Sequence, residues 1–338
     1  MKGLFADLQK VAQKMQGDML AAADFLGNGA IETNRYETEI VDIVTRTSIA
    51  LTRFDSRPAT GHPHRYFEET AIGSATFTDP RNIVPTPSGP TRVERPAMIK
   101  AITNQTNMSL FDVDVTRQQG QFAYLEAKDI QDAINAVVVR EAAAVWNGTD
   151  TSLSAPTTIE YMGLLRQITQ TTSVGVGASI IDALKAQVAA MAGRTDYDIR
   201  PTAIYINPIL GDYIDREAKA QKVELGEMDV GAGVKVSTIN TQVGKLPLIG
   251  EKWVPATTDT SFGFTAPPAG YKNYFAVIVT ENMIEMPYIH GGDGNPKPRI
   301  FQLGLLSGLQ GQYVVIHFNT IIAKGASYAH AIVVVIRP

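Results

Sequence analysis

The sequence predicts an α+β fold that carries one long β-hairpin arm, and three observations predict it. Seven of the 18 prolines fall between Arg57 and Pro96 (Pro58, Pro63, Pro80, Pro85, Pro87, Pro90 and Pro96), within flanks that read as strands. An apolar stripe at helical spacing runs over residues 122–146. After residue 201 the pattern changes to short apolar strands, broken by one strand-to-helix passage.

The chain has 338 residues, enough for about two domains. It is 44% hydrophobic and 19% charged, against a usual charged share of ~25%. Low charge suits a protein that covers much of its surface with neighbours. A net charge of −4 is no basic footprint for reading nucleic-acid sequence. The chain has no cysteine, which excludes disulfides, thiolate metal sites and a Cys nucleophile. Asp7, Gln9 and Lys10 interrupt any signal-peptide core, and the apolar run at 331–336 is too short to span a bilayer. The expectation is a soluble protein with no membrane partner.

Residues 1–27 read as a helical arm, with Leu4, Leu8, Val11 and Met15 recurring at three- and four-residue spacing. Residues 36–54 are β-rich. The hairpin arm follows, with candidate antiparallel strands at 65–78 and 91–103 and a tip at 79–90. Each proline fixes φ and removes a backbone donor, so the tip is neither helix nor central strand. A structureless connection this long is rare in a compact domain unless it is functional. Such an arm cannot bury itself on its own domain, and the expectation is that it packs on another copy. Its charges alternate in sign: Arg65, Glu68 and Glu69 on one flank, Asp79 and Arg81 at the tip, and Arg92, Glu94, Arg95 and Lys100 on the other. With no evident partners in their own domain, these nine are the candidate inter-subunit contacts, since mixed charges set register between neighbours.

Phe111, Val113 and Val115 alternate with Asp112 and Asp114, which predicts a half-buried strand. In the 122–146 helix, Ile130, Ile134, Val138, Ala142 and Val145 form the predicted inward stripe, and Asn147-Gly148 ends it. At 25 residues it spans about 37 Å. Residues 160–170 read as helix and 171–177 as a small-residue linker. A further helix covers 179–192, capped by Ser179 and Asp182, with Ile181, Leu184, Val188 and Met191 inward. Residues 202–206 read as a strand, and Asn207-Pro208 starts a helix whose apolar side is Ile209, Leu210, Tyr213 and Ile214. Residues 222–234 read as a polar loop. Strands are predicted at 234–240, 246–249 and 275–280, through 284–318 with a turn at 291–298, and at 314–323 and 329–336.

Catalytic signals are weak. His62 and His64 with Glu68 and Glu69 are the only metal-like cluster, but they sit on the proline-rich arm, and a metal site needs rigid support. His317, inside an apolar strand, reads as a core or interface histidine. Gly175-Val-Gly177 and Gly231-Ala-Gly233 lack the third glycine of a dinucleotide site, and there is no phosphate loop or nucleophile elbow. No catalytic residue, metal site or cofactor is therefore predicted.

The order of parts resembles the major capsid proteins of tailed bacteriophages, the Hong Kong-ninety-seven-type fold. Ala203-Ile-Tyr-Ile-Asn-Pro208 resembles the strand-to-helix passage of that family's axial domain. Lys245-Leu-Pro-Leu-Ile249 resembles a short strand later in it, and Phe318-Asn-Thr-Ile-Ile-Ala-Lys-Gly325 resembles the closing strand of its peripheral domain. The resemblance implies an N-terminal arm with first strands at 1–46, an extended β-hairpin loop at 47–117, and a peripheral domain at 118–200 whose spine helix is 122–146. It further implies an axial domain at 201–283 and returning strands at 284–338. It implies a non-enzymatic protein, located in the virion and assembled in the host cytoplasm, that self-assembles into the pentamers and hexamers of an icosahedral head. That head would enclose double-stranded DNA without sequence-specific binding, with a portal and a decoration protein as further partners. Only about 27 residues precede the first strand, so scaffolding would be a separate protein. Some members crosslink Lys to Asn between subunits; Lys100 lies on the arm, but without a matching context. The alternatives are an encapsulin-like compartment shell of the same fold and, from another class, a soluble α+β enzyme with an unrecognised site.

Overall fold

A computed structural model of the chain describes residues 48–338 apart from 82, 85–86, 110, 112–113, 116–117, 119–124, 222–224, 230–234, 291–295 and 307–309. The predicted N-terminal helix, most of the β-rich stretch at 36–54 and most of the turn at 291–298 lie outside the described residues. Residues 1–43 and 111–125 form one compact unit; within it Phe111, Asp114, Val115 and Gln118 are helical. The strand predicted at 111–115 is corrected: Phe111 and Val115 are four apart as well as alternating, so both periods fit the same residues.

The second unit, 44–110 and 126–338, carries the remaining elements. It opens with α1 (Ile49–Arg53), β1 (Asp55–Pro58), β2 (His64–Ala71), β3 (Thr91–Ala97), β4 (Lys100–Ser109), α2 (Leu125–Asn147) and α3 (Leu164–Gln167). There follow β5 (Thr171–Val174), α4 (Ile180–Ala192), β6 (Ala203–Ile206), α5 (Pro208–Gln221), β7 (Gly226–Asp229), β8 (Lys235–Thr241) and β9 (Gly244–Gly250). The chain closes with β10 (Ala256–Thr257), β11 (Lys272–Val279), β12 (Ile284–Tyr288), β13 (Arg299–Leu306), β14 (Gln310–Asn319), β15 (Ile322–Ala323) and β16 (Ala331–Arg337).

An eight-stranded sheet runs β5-β16-β11-β6-β9-β8-β7, with β10 on β11. Its central strands are buried over 203–206 and 273–279, as continuous apolar runs require. Ile204, Ile206, Tyr274, Ala276 and Ile278 face α4 and α5. Tyr205, Phe275, Val277, Ile332 and Val334 face α1, α3 and the end of α2, where Phe54 and Trp146 pack. Burying one such side chain contributes roughly 1.5–3 kcal/mol. The helix α4 starts as its sequence requires: Ser179 Oγ accepts the Asp182 N–H at 3.1 Å. Glu217 of α5 accepts the free N–H groups of Ile180 and Ile181.

Sheet membership departs from a linear division of the chain. β5 and β16 lie outside 201–283 yet pair in the same sheet as β6 and β11. The predicted linker at 171–177 is therefore corrected to a strand over Thr171–Val174, parallel to β16. Likewise Gly226–Asp229, predicted as loop, pairs antiparallel with β8. The helix predicted over 160–170 is only Leu164–Gln167. Ile209, predicted inward, is exposed, while Leu210 and Ile214 are buried.

A second sheet runs β1-β12-β14-β13, with β4 on β14 and β15 on β12. The ten residues of β14 pair with all ten of β4, from Gln310↔Ser109 to Asn319↔Lys100. The long helix α2 crosses from this sheet to the other. Ala133 and Val137 pack on Val315 of β14, whereas Val145 and Trp146 belong to the core beside the eight-stranded sheet. Its buried line is Ala133, Val137, Glu141 and Ala144; the predicted stripe through Ile130, Ile134 and Val138 is only half-buried. The face is turned because a carboxylate is inside: Asn319 donates to Glu141 Oε1, and His317 Nδ1 lies 3.2 Å from Oε2. Tyr161 in turn donates to Asn319. Gly148 ends the helix, but as a close approach rather than a left-handed stop. A Cβ there would lie 2.5 Å from the Tyr161 carbonyl oxygen.

Candidate assembly surface

β2 and β3 form a hairpin with the register His64↔Ala97, Tyr66↔Arg95 and Glu68↔Val93 on one face, and Arg65↔Pro96, Phe67↔Glu94 and Glu69↔Arg92 on the other. Directly opposed residues share a face, so the two rows have different environments. The strands stop at Ala71 and Thr91, shorter than the predicted 65–78 and 91–103. After Ala97 the chain leaves the hairpin and enters β4 at Lys100.

The first face is turned to the rest of the unit. Tyr66 and Ala97 are buried with Ile322 and pack on Leu153. Glu68 accepts the Gly325 N–H at 3.0 Å and pairs with Arg95. Tyr197 donates to the Thr70 carbonyl at 2.7 Å, and Met98 N–H to the Leu153 carbonyl at 2.9 Å. The hairpin base is thus tied down at several points.

The second face is open. Phe67 is 69% exposed, and it stands between two ion pairs, Arg65–Glu94 at 2.6 Å and Arg92–Glu69 at 3.0 Å. Both pairs are about half exposed, so each contributes about 0–1 kcal/mol. The expectation that these charges lack partners in their own chain is corrected: the hairpin register pairs them with each other. The result is an electrically self-balanced rim around an exposed aromatic side chain.

Lys100 too has a partner within its own chain. Its ammonium pairs with Asp150 at 3.1 Å, and its side chain is mostly covered. Asp150 also accepts the N–H groups of Thr151 at 2.8 Å and Thr157 at 2.9 Å. Burial pushes its carboxyl up, but the Thr157 N–H, Lys100 and the Thr151 N–H outweigh this and hold it at about 2. Lys100 therefore fixes the 150–158 loop to the root of the arm.

Beyond Ala71 and Thr91 no described residue of the tip is helix or strand. The flanks remain adjacent at first, since Ser74 N–H donates to Ser88 Oγ at 2.8 Å. Gly73 is needed there: a Cβ would lie 2.6 Å from the Ser88 carbonyl oxygen. Asp79 and Arg81 are exposed, with the Arg81 N–H donated to Asp79 Oδ1 at 2.9 Å. Ile72, Phe77, Ile83 and Val84 are exposed as well. With Phe67 they are large apolar side chains left in water along the arm.

His64 lies at the hairpin base with Nδ1 3.3 Å from Thr60 Oγ1, and burial lowers its pKa. Among the described residues no three His, Asp or Glu side chains come together as a metal-holding group. No described helix is long and apolar enough to cross a membrane.

No protein-family model matches the sequence, and no curated protein matches it. Solved structures do. The holo-SrpI encapsulin complex of Synechococcus elongatus is similar with a TM-score of 0.62 at 13% identity, over 89% of this chain and 91% of that one. The head structure of Helicobacter pylori bacteriophage KHP40 is similar with a TM-score of 0.63 at 8% identity, over 93% and 97%. This chain has the Hong Kong-ninety-seven-type capsid fold. The capsid of a native GTA particle extends the likeness, with a TM-score of 0.64 at 10% identity over 93% and 98%. The proteins this chain resembles are shell-forming capsid, head and encapsulin proteins. Sequence reasoning found the arm but not the pairing of its charges, nor Phe67, whose exposure depends on which face of the hairpin is covered.

Proposed function

We propose that this chain is the major capsid protein of a tailed phage, self-assembling into pentamers and hexamers of an icosahedral head around double-stranded DNA. The observation that carries the reading is the hairpin, anchored at its base and covered on one face, with the exposed Phe67 framed by two ion pairs on the other. Among the described residues nothing covers that surface. The self-balanced rim around Phe67 suits a repeated apolar contact that needs no opposite charge across it. Many such contacts, each modest, stabilise a shell collectively. Of the nine candidate contact residues, Arg65, Glu69, Arg92 and Glu94 frame Phe67 and Asp79 and Arg81 mark the tip, whereas Glu68, Arg95 and Lys100 hold the arm's root.

On this reading residues 1–46 are the N-terminal arm with first strands, 47–117 the extended loop and 118–200 the peripheral domain. Residues 201–283 form the axial domain, whose sheet β5 and β16 also join; residues 284–338 return to the peripheral domain. The protein would act in the virion after assembly in the host cytoplasm, with a separate scaffolding protein, a portal and a decoration protein as partners, and without enzymatic turnover. An encapsulin-like compartment is the second reading, favoured by a likeness to an encapsulin as strong as that to phage heads. The two differ in content. Particles purified from the native source should hold nuclease-protected double-stranded DNA of one length. Particles that hold a protein cargo and no protected DNA would turn the assignment to the compartment.

A further inference from the structure

We infer that His330 makes the turn at 324–329 an acid-released latch on the root of the hairpin. His330 immediately precedes β16 and is fully buried, at 0% exposure. Both ring nitrogens are used, and their partners fix the tautomer. The Thr280 N–H points at Nδ1 across 3.3 Å, so Nδ1 is bare and accepts. Nε2 therefore carries the proton and donates to the Lys324 carbonyl at 3.1 Å. One neutral ring thus ties the turn to the end of β11.

A second proton can go only to Nδ1, where it would face the Thr280 N–H, donor against donor. The positive charge would also sit away from water. Among the described residues, the charged groups on the segments around the ring already have partners: Lys324 pairs with Glu285, Glu281 with Arg53, and Glu68 with Arg95. Arg194 reaches the turn only through the Ser327 carbonyl. Burial accordingly pushes the imidazole down to about 4, against the smaller raising effect of the Lys324 carbonyl. A ring released to water returns to about 6.5. Between those values the released form binds more protons, so the closed form loses about tenfold per pH unit as pH falls, or about 100-fold by pH 4.5.

What the turn holds is β2. Gly325 N–H donates to Glu68 at 3.0 Å. Tyr328 stacks on Tyr197 with ring centroids 4.0 Å apart, and the Tyr197 hydroxyl donates to the Thr70 carbonyl. At neutral pH the Thr280 hydroxyl bond to the Ala329 carbonyl and the Lys324 N–H bond to the Met283 carbonyl help to keep the turn closed. Acid therefore loosens the arm at its root while leaving both sheets paired. The latch belongs to the single chain and stands whatever the shell encloses.

The absence of cysteine lets a single engineered pair report on the latch. Thr91→Cys and Ser327→Cys, both at exposed positions, are spin-labelled at neutral pH in the full-length chain and diluted with unlabelled chain. Pulsed electron paramagnetic resonance should give one narrow distance at pH 7.5 and a second, longer population at pH 4.5. With His330→Gln added, whose amide still donates but does not titrate, the narrow distance should persist at pH 4.5. Burial also lowers His64 at the hairpin base, so His64→Gln serves as the control and should leave the acid response intact. No change between the two pH values, an equal change with and without His330→Gln, or a response abolished by His64→Gln would overturn the latch. A second measurement needs no variant: deuterium exchange at the imidazole C2 of His330, followed by mass spectrometry across pH. A slow exchange with an apparent pKa below 5 supports the latch, and a value near the ordinary 6.5 rejects it.

Discussion

Replacing residues 79–90 by a short Gly-Ser turn should leave the subunit folded and stop shell formation. No buried hydrophobic side chain lies among the described residues between Tyr66 and Ala97, so the replacement removes little core. Its effect on subunit stability should be about 1 kcal/mol or less, as for other surface changes. The loss falls instead on assembly, because the exposed Ile83 and Val84 and the four tip prolines go with it. Thermal melting of the subunit and particle yield by sedimentation separate the two effects. An unchanged melt with at least a tenfold loss of particles is expected. Normal particles would make the arm an ordinary surface loop.

The second large effect belongs to α2. Val137 is 1% exposed and packs against Val315 of β14. Val137→Asp places a carboxyl there with no partner, at a cost of about 3–5 kcal/mol. Val138 is only half-buried, so Val138→Asp should cost markedly less. Urea midpoints of the two variants measure the difference. Equal losses would show that the helix buries a wider face than Ala133, Val137 and Glu141 define.

That contrast also shows where the sequence was readable. The helix itself was visible in its spacing, but its face was misread by one position, because Glu141 counted as polar. What buries it is Asn319 and His317, nearly 180 residues away in sequence. β5 is a similar case: Thr171-Thr-Ser-Val174 has no apolar alternation, and only pairing with β16 makes it a strand. By contrast α4 is bounded by local chemistry, Ser179 at its start and Gly193 at its end, and was legible in full. So was the passage from β6 to α5, where Asn207 accepts the Ile209 N–H at 3.0 Å.

The arm was legible as an arm because prolines act locally on the backbone. Its surface chemistry was not. Which of Arg65, Glu68, Glu69, Arg92, Glu94 and Arg95 meet depends on strand register, and register is set by pairing rather than by charge order. The cavity of about 720 Å³ lined by Tyr66, Leu153, Tyr197 and Tyr328 was wholly invisible, since it gathers four separate segments.

Assembly into a closed shell is the property from which the rest follows. Electron microscopy of the purified protein, expressed alone and together with the products of neighbouring genes, tests that most directly. Closed particles tens of nanometres across, with pentameric and hexameric clusters on their surface, are the expected result. A monodisperse monomer or small oligomer under every condition would contradict it.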